Sequence, residues 1–463
     1  MSNSGKTNDK TMCWTKLLSN SIAGKNIQNQ GDSSRSIFER DYDRIIFSHP
    51  FRRLQDKTQV FPLPEHDFVH TRLTHSLEVS SVGRSLGKKV GDALMGRYPE
   101  LLEQHYSAFD FGAIVAAASL THDLGNPPFG HSGEDAISDF FLHHPVAQPL
   151  QDHLTAKEWA DLTNFEGNAQ GFRLLNKGSY QGLRLTAATR AAFTKYPRES
   201  LIASKDPSRC SQKKYGFFQS ERNSFITLAE ETGLLDLGNE TDAIWVRHPL
   251  AFLVEAADDI CYHLIDLEDG CRLGLVSLEE TIALMAGILQ ERFDPDKLRK
   301  ISDPEEKIGL LRALSIGVLI DQCESVFLQN ERAILSGTFD KPLTTAIEGK
   351  AILDKIREVS IAKIYRSRIV LETEVAGFEV ISGILEAIIQ AVYAKMFAPD
   401  KFTSHKKSIL RLLPVSLQEK LDTLDPTPYE IMMESIDFVA SMTDSYALTF
   451  YRRLKGIALP GKG

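Results

Sequence analysis

Between residues 114 and 135 the chain reads IVAAASLTHDLGNPPFGHSGED, and an apolar run from Ile114 to Leu120 delivers His122 and Asp123 side by side. Imidazole and carboxylate at the end of a buried helix are ligand types that a divalent metal takes. The turn Gly125-Asn126-Pro127-Pro128 then stops the helix, because proline lacks the amide donor and clashes with the preceding turn. His131 and Glu134 follow, three apart and on one face if helical. Adjacent helical positions diverge by roughly 100°, so His122 and Asp123 cannot close a metal site alone. At least two more ligands must come from other helices.

Such ligands are available. His75 lies in the first turns of an amphipathic stretch, HTRLTHSLEV (70–79), and LVEAADDICY (253–262) sets Asp258 and Asp259 inside an otherwise apolar helix. His75, His122, Asp123 and one of these two aspartates form an H…HD…D set. Asp258, Tyr262 and Asp266 fall at i, i+4 and i+8, a stripe that drifts by roughly 40° per step. If Asp258 reaches the metal, Tyr262 and Asp266 line the same cleft and Asp259 points about 100° aside. Four ligands leave His131 and Glu134 for another task. An imidazole near an activated water can give or take a proton near neutral pH, and a carboxylate can orient it. Arg72, three residues before His75 and on roughly its face, can bind a phosphate that the metal also contacts. No Gly-rich phosphate loop of the Walker type is present.

The blocks RRLQDKTQVFP (52–62), TRLTHSLEV (71–79), THDLGNPPFGHSGEDAI (121–137), NFEGNAQGFRLL (164–175) and LVEAADDICY (253–262) resemble the bacterial deoxyguanosine triphosphate triphosphohydrolase (dGTPase) family of the HD-domain superfamily. A further family-like block, MTDSYALTFYRRLKG, lies at 442–456. The resemblance implies a divalent metal, one of Mn, Mg, Co, Ni, Fe or Zn, on His75, His122, Asp123 and Asp258. It makes His131 and Glu134 the catalytic pair, stacks Tyr262 on deoxyribose, bonds Asp266 to the 3′-hydroxyl and brings Gln59 near the sugar. Lys214 and Tyr215 match a position that grips the phosphate tail, with Lys213 the neighbouring alternative. Asn168 and Arg173 belong to a family-like block, but spacing assigns them no role. The implied reaction cuts a deoxynucleoside triphosphate, dGTP favoured, between the 5′-oxygen and the α-phosphorus, leaving deoxynucleoside and intact triphosphate. Whether His131 serves as acid or base stays open. So does a nucleotide or single-stranded-DNA effector; a homo-oligomer is expected, and the resemblance favours a hexamer. The rivals are an HD-type nucleotide phosphatase or phosphodiesterase, and a nucleotide- or DNA-regulated binding protein with a silent site.

The elements that must position these residues read as mostly helical: an all-α fold with an HD-domain helical core, a helical C-terminal half and a few short strands within 178–225. The expected division is a polar arm over 1–34, a catalytic core over 35–275 and a helical region over 276–463 that packs on the core and makes oligomer contacts. Spacing predicts helices over 74–95, 110–124, 164–176, 248–269 (ended by Gly270), 277–291, 303–328, 340–359 and 368–397. Pro62 and Pro64 break the chain before the His75 helix, and Pro145 and Pro149 leave 138–164 irregular. Val380 to Phe397 are apolar around most of one helix, so this helix is either the centre of the second half or a subunit contact.

Composition sets the outer limits. A 463-residue chain that is 42% hydrophobic and 25% charged has the balance of an ordinary soluble protein and ample volume for a large core. Its net charge of −9 argues against general nucleic-acid affinity. Yet Lys195, Arg198, Lys205, Arg209, Lys213 and Lys214 outnumber Glu199 and Asp206 in one segment, a candidate polyanion contact. The five cysteines lack paired spacing and no secretion signal is evident, so the expectation is reduced thiols in the cytoplasm. No uninterrupted apolar run nears the ~20 residues of a membrane span, so no membrane is expected.

Overall fold

Three glycines spaced four apart explain how two of the site's helices come together. Gly83, Gly87 and Gly91 form a stripe on the helix Arg72–Arg97, and a Cβ on them would lie 2.6 Å from Ser119 Oγ, 2.7 Å from the Phe111 carbonyl and 3.0 Å from Ala108 Cα. The helix Ala108–Thr121, rich in alanine, therefore packs against it antiparallel at close range. The start of one helix, with His75, then faces the end of the other, with His122. A computed structural model describes residues 11–22, 25, 35–61, 70–177, 183–423 and 427–458.

The major helices, in chain order, are α1 (Ile37–Ile46), α2 (Arg72–Arg97), α3 (Ala108–Thr121), α4 (His131–His143), α5 (Ala156–Thr163), α6 (Gly167–Asn176), α7 (Pro249–Arg272), α8 (Leu278–Leu289), α9 (Pro304–Gln329), α10 (Arg368–Phe397), α11 (Pro428–Ala440) and α12 (Asp444–Leu454). The fold is all-α. In place of the short strands expected in 178–225, the described residues there hold only isolated bridges, Arg198 to Ile244 and Glu199 to Phe217.

Two hydrophobic cores organise these helices. The first gathers α1, α2, α3 and α7 to α9, from Met12 to Val370. The second is built around α10, whose Val380, Ile381, Ile384, Leu385, Ile388, Ile389, Ala391 and Val392 are buried against α4, α5, α11 and α12. Each such aliphatic side chain contributes about 1.5–3 kcal/mol when fully buried. By length and composition α10 could cross a membrane, which a count of uninterrupted apolar residues did not detect because Glu386 interrupts the run. Its apolar face instead packs within the chain, so α10 is the centre of the second core and gives no argument for subunit contact.

Several sequence expectations change. The cores do not divide at 275/276: residues 276–370 join the first, and Ala136 to Ala169 join the second. Within the stretch read as a polar arm, Met12, Trp14, Leu17, Leu18 and Ile22 are buried, and Trp14 Nε1 donates to Glu331 at 3.0 Å. The remainder of that arm, like Pro62 and Pro64, lies outside the described residues. The stretch 138–164 is largely helical: α4 runs on to His143, and a Thr155/Glu158 capping box opens α5 beyond the two prolines. Gly270 does not end α7. It is a close-approach residue whose Cβ would sit 2.4 Å from Ile364, and the left-handed Gly274 (φ +71°) follows the helix end instead.

Arg173 also finds its role. Buried in α6, it donates to Asp437 (3.0 Å), Glu221 (2.7 Å) and Glu434 (3.3 Å), tying α6 to α11. Removing one partner of such a buried set costs about 3–5 kcal/mol, because a charge is left uncompensated. Asn168 Nδ2 donates to Glu166 at 2.7 Å, next to the N-terminus of α6.

Candidate active site

α2 presents His75 and the end of α3 presents His122, with their rings 5.3 Å apart and edge to face. His122 Nδ1 lies 2.7 Å from the Ser119 carbonyl, a bond it can make only as donor, so Nε2 keeps its lone pair toward the site. Asp123 follows at once and is held on both oxygens: Asn126 Nδ2 donates to Oδ1 (2.6 Å) and Arg72 Nη1 to Oδ2 (2.7 Å). Potential donor atoms of His75, His122 and Asp123 all lie within 4.8 Å of one another. From α7, Asp258 Oδ1 approaches to 3.3 Å from His75 Nε2 and 3.5 Å from His122 Nε2. Two imidazoles and two carboxylates converging from three helices fit a divalent transition metal. Asp259 turns away, its Oδ2 accepting from Thr344 Oγ1 at 2.6 Å.

The turn after Asp123 reverses the chain through two residues with positive φ, Phe129 (+65°) and Gly130 (+62°). A Cβ on Gly130 would lie 2.7 Å from Arg72 Nη2, so the guanidinium packs directly on this turn. His131 opens α4 and is solvent-exposed. Desolvation, then the Arg72 and Lys214 cations, hold its imidazole below the ordinary value. Glu134 lies on the same helix but is buried, and its Oε1 accepts from the Gly167 amide at 2.8 Å. Among the described residues no hydrogen bond joins it to His131. Lys214 Nζ instead stands 3.9 Å from Glu134 and 3.0 Å from Glu166. Burial, and then the Glu166 charge, push Glu134 up to about 8.

Further along α7 the i, i+4, i+8 stripe continues. Tyr262 is partly exposed and stacks on Tyr365, with centroids 5.7 Å apart and planes 19° apart. The Tyr365 hydroxyl donates to Oδ2 of the buried Asp266 at 2.7 Å. Burial pushes that carboxyl up to about 7. Thr58 bridges to Thr71 just before α2, and Gln59 is the next residue in the chain. The Gln59 side-chain oxygen is buried without a partner among the described residues. A separate cavity of about 410 Å³, lined by Gln290, Arg292, Asp321, Gln322 and Glu348 among others, contains none of these residues.

The sequence model of the HD domain matches residues 72–157. A deoxyguanosinetriphosphate triphosphohydrolase-like protein of Synechocystis is 41% identical over 457 residues, spanning 97% of this chain and all of that relative. Similarly named proteins of Pseudomonas aeruginosa and Listeria innocua are 38% and 35% identical over 460 and 483 residues, again over 100% of their own length. The chain belongs to this deoxyguanosinetriphosphate triphosphohydrolase-like family. As a member it is an HD-type hydrolase with a His75/His122/Asp123 group able to hold a divalent metal.

The structure sets Tyr215 apart from the other candidate residues and adds three neighbours to them. Tyr215 is buried in the second core beside Phe218, with its hydroxyl 3.4 Å from the Asp161 carbonyl. The structure brings Lys214 to the site and leaves Tyr215 behind it. Lys195 is the first, a member of the basic segment singled out above: its Nζ donates to Asp258 Oδ2 at 2.5 Å. Burial alone would raise the Asp258 carboxyl, but Lys195 and the two imidazoles hold it well below the usual carboxylate range. The only signal was the basic segment that begins at Lys195. Tyr365, the second, had no local signal. The third is His70, whose Nδ1 lies 2.9 Å from Asp269 and whose Nε2 lies 3.4 Å from Glu78, pinning the chain before α2 to α7.

Burial would lower the His70 imidazole, but hydrogen bonds and charges from Asp269 and Glu78 outweigh it and raise the group to about 10. Its unfolded value is about 6.5. A raised folded value means that this contribution to stability is complete below about pH 6.5 and is lost as pH climbs toward 10. The Tm advantage of the native protein over His70→Gln should therefore shrink steadily across that window. An advantage that stays constant from pH 6 to 10 would refute the clamp.

Proposed function

We propose that this chain is a metal-dependent triphosphohydrolase that cleaves a deoxynucleoside triphosphate, dGTP favoured, into deoxynucleoside and inorganic triphosphate. One observation carries the reading. The face of α7 that offers Asp258 to the two histidines continues through Tyr262 to Asp266, roughly 12 Å along the helix at 1.5 Å per residue. A ligand lying on this face meets a metal and cations at one end and an aromatic stack with a hydrogen-bonding carboxyl at the other.

His75, His122, Asp123 and Asp258 would hold the cation, one of Mn, Mg, Co, Ni, Fe or Zn. When bound it supplies Lewis-acid polarisation of a phosphoryl oxygen and acidifies water. The chain's own groups do the rest. Lys195 and Lys214 offer ammonium groups to the phosphate tail, and Arg72 adds its guanidinium while orienting Asp123. His131, exposed beside them, holds or moves the proton between the attacking water and the leaving O5′. Glu134 and Glu166, bridged by Lys214, set the charge around it. Tyr262 and Tyr365 pack on the sugar, and Asp266 and the Gln59 side chain take its hydroxyl. A 2′-hydroxyl would have to fit against that packed aromatic wall.

A panel of dNTPs and GTP with Mn²⁺ or Mg²⁺, with products separated by chromatography, tests this. The expected result is tripolyphosphate and deoxynucleoside, with GTP a poor substrate. With monophosphates and cyclic nucleotides added to the panel, orthophosphate from a monophosphate, or a nucleoside monophosphate from a cyclic nucleotide, with no tripolyphosphate from any dNTP, would overturn it in favour of another HD-type chemistry. So would comparable kcat/KM for GTP and dGTP in the case of the sugar wall.

A further inference from the structure

Three segments far apart in the chain meet on one carboxylate. Asp444, the first residue of α12, is fully buried. Its Oδ2 accepts from the Thr58 amide (2.9 Å) and the Thr58 hydroxyl (2.6 Å), and its Oδ1 accepts from the Phe129 amide (3.0 Å). The neighbouring Lys57 extends the same tie, its Nζ donating to the carbonyls of Asn126 (2.6 Å) and of Ala440 at the end of α11 (2.8 Å). The residues held in this way are those of the turn between Asp123 and His131.

That turn needs support. Phe129 is not glycine, yet it sits at φ +65°, a conformation that survives only where surrounding contacts dictate it. Its side chain is also gripped, since a Cβ on Gly377 of α10 would lie 2.9 Å from Phe129 Cβ and Cγ. Asn126, whose carbonyl Lys57 holds, is the residue that bonds Asp123, and His131 begins α4 two residues after Phe129. Thr58 adjoins Gln59. One carboxylate from the C-terminal helix therefore restrains both chain segments that flank the site.

We propose that Asp444 is a positioning residue: it fixes the backbone at Phe129 and so aims His131, making the C-terminal helix part of the catalytic apparatus. The effect on turnover rests on the reading of His131 given above; the effect on the turn does not. The test uses full-length Asp444→Ala and Asp444→Asn, with Ser445→Ala as control. Ser445 lies on the same helix, and its hydroxyl donates instead to the Asp56 carboxylate (2.9 Å). Three readouts are taken: amide exchange over residues 126–134, bound Mn²⁺, and kcat with KM for dGTP.

For Asp444→Ala, exchange at Phe129 should rise at least about tenfold while α2 and α3 keep their protection. The kcat should fall by roughly 10–100-fold, the scale of an ångström-level misplacement, with KM nearly unchanged and Mn²⁺ retained. Asp444→Asn should fall between the two, and Ser445→Ala should match the native protein. If Asp444→Ala does not fold, Asp444→Asn carries the test with the same signs. A folded variant with native exchange at Phe129, or with a lower Tm but native kcat and KM, overturns the proposal. A native protein that turns over no dNTP would instead sink the proposed function, leaving exchange at Phe129 to judge Asp444.

Discussion

Asp258→Ala should lose both the bound cation and turnover, whereas Asp259→Ala should keep both. The two residues are neighbours of the same chemical type, so composition cannot separate them. Asp258 Oδ1 stands 3.3 and 3.5 Å from the Nε2 atoms of His75 and His122, while Asp259 is spent on Thr344 at 2.6 Å. Losing the cation removes several kcal/mol of charge stabilisation, which corresponds to about 10³-fold or more in rate. Losing the Asp259–Thr344 bond costs about 1 kcal/mol of stability and no chemistry. Asp258→Ala also strands the buried Lys195 ammonium, so a drop in stability accompanies the loss. Asp258→Asn keeps the shape and separates the two effects. The measurement is metal content per folded chain, by elemental analysis, alongside kcat. Retained metal in Asp258→Ala, or lost metal in Asp259→Ala, would assign the site to the wrong aspartate.

The second large effect is expected at His131. His131→Ala should retain metal and leave KM nearly unchanged while kcat falls by about 10²–10⁴, the usual worth of a positioned proton donor or acceptor. Desolvation first, and then the Arg72 and Lys214 cations, hold the imidazole below the ordinary value of about 6.5. The neutral imidazole is the form that accepts a proton. If it acts as a base, kcat/KM should rise with pH through a limb below about 6.5, and His131→Ala should abolish that limb. If the group must be protonated to act on the leaving oxygen, kcat/KM should instead fall through the same range. Near-native kcat in His131→Ala would remove it from the reaction under either sign.

Much of the site was legible because it is written in local periods. The i, i+4, i+8 set of Asp258, Tyr262 and Asp266 needs only a helix to share a face, and the separation of Asp258 from Asp259 follows from about 100° of helical rotation. The apolar run before His122 and the prolines after it bound α3 in the same way. Glycine is harder to read, since one residue type serves two purposes: Gly270 looked like a stop and is a contact with Ile364, whereas Gly274 carries the left-handed turn. The capping box at Thr155 was present in the sequence, but the two prolines before it drew the reading toward irregular chain.

By itself, then, the sequence determined the helical class and the face that Asp258, Tyr262 and Asp266 share, because these depend on spacings of four to eight residues; the set His75, His122, Asp123 and Asp258 was implied by the resemblance to the dGTPase family. Only the tertiary structure decided which basic and aromatic side chains complete the site. Tyr365 reaches Asp266 across 99 residues, Lys195 reaches Asp258 across 63, and Asp444 reaches Thr58 across 386. It equally decided that Glu134 turns to Gly167 and Lys214, and that Tyr215 turns into the second core. No local period encodes such pairings. They are set by how two cores pack their helices together, and a side chain's neighbours across that packing depend on every helix between them.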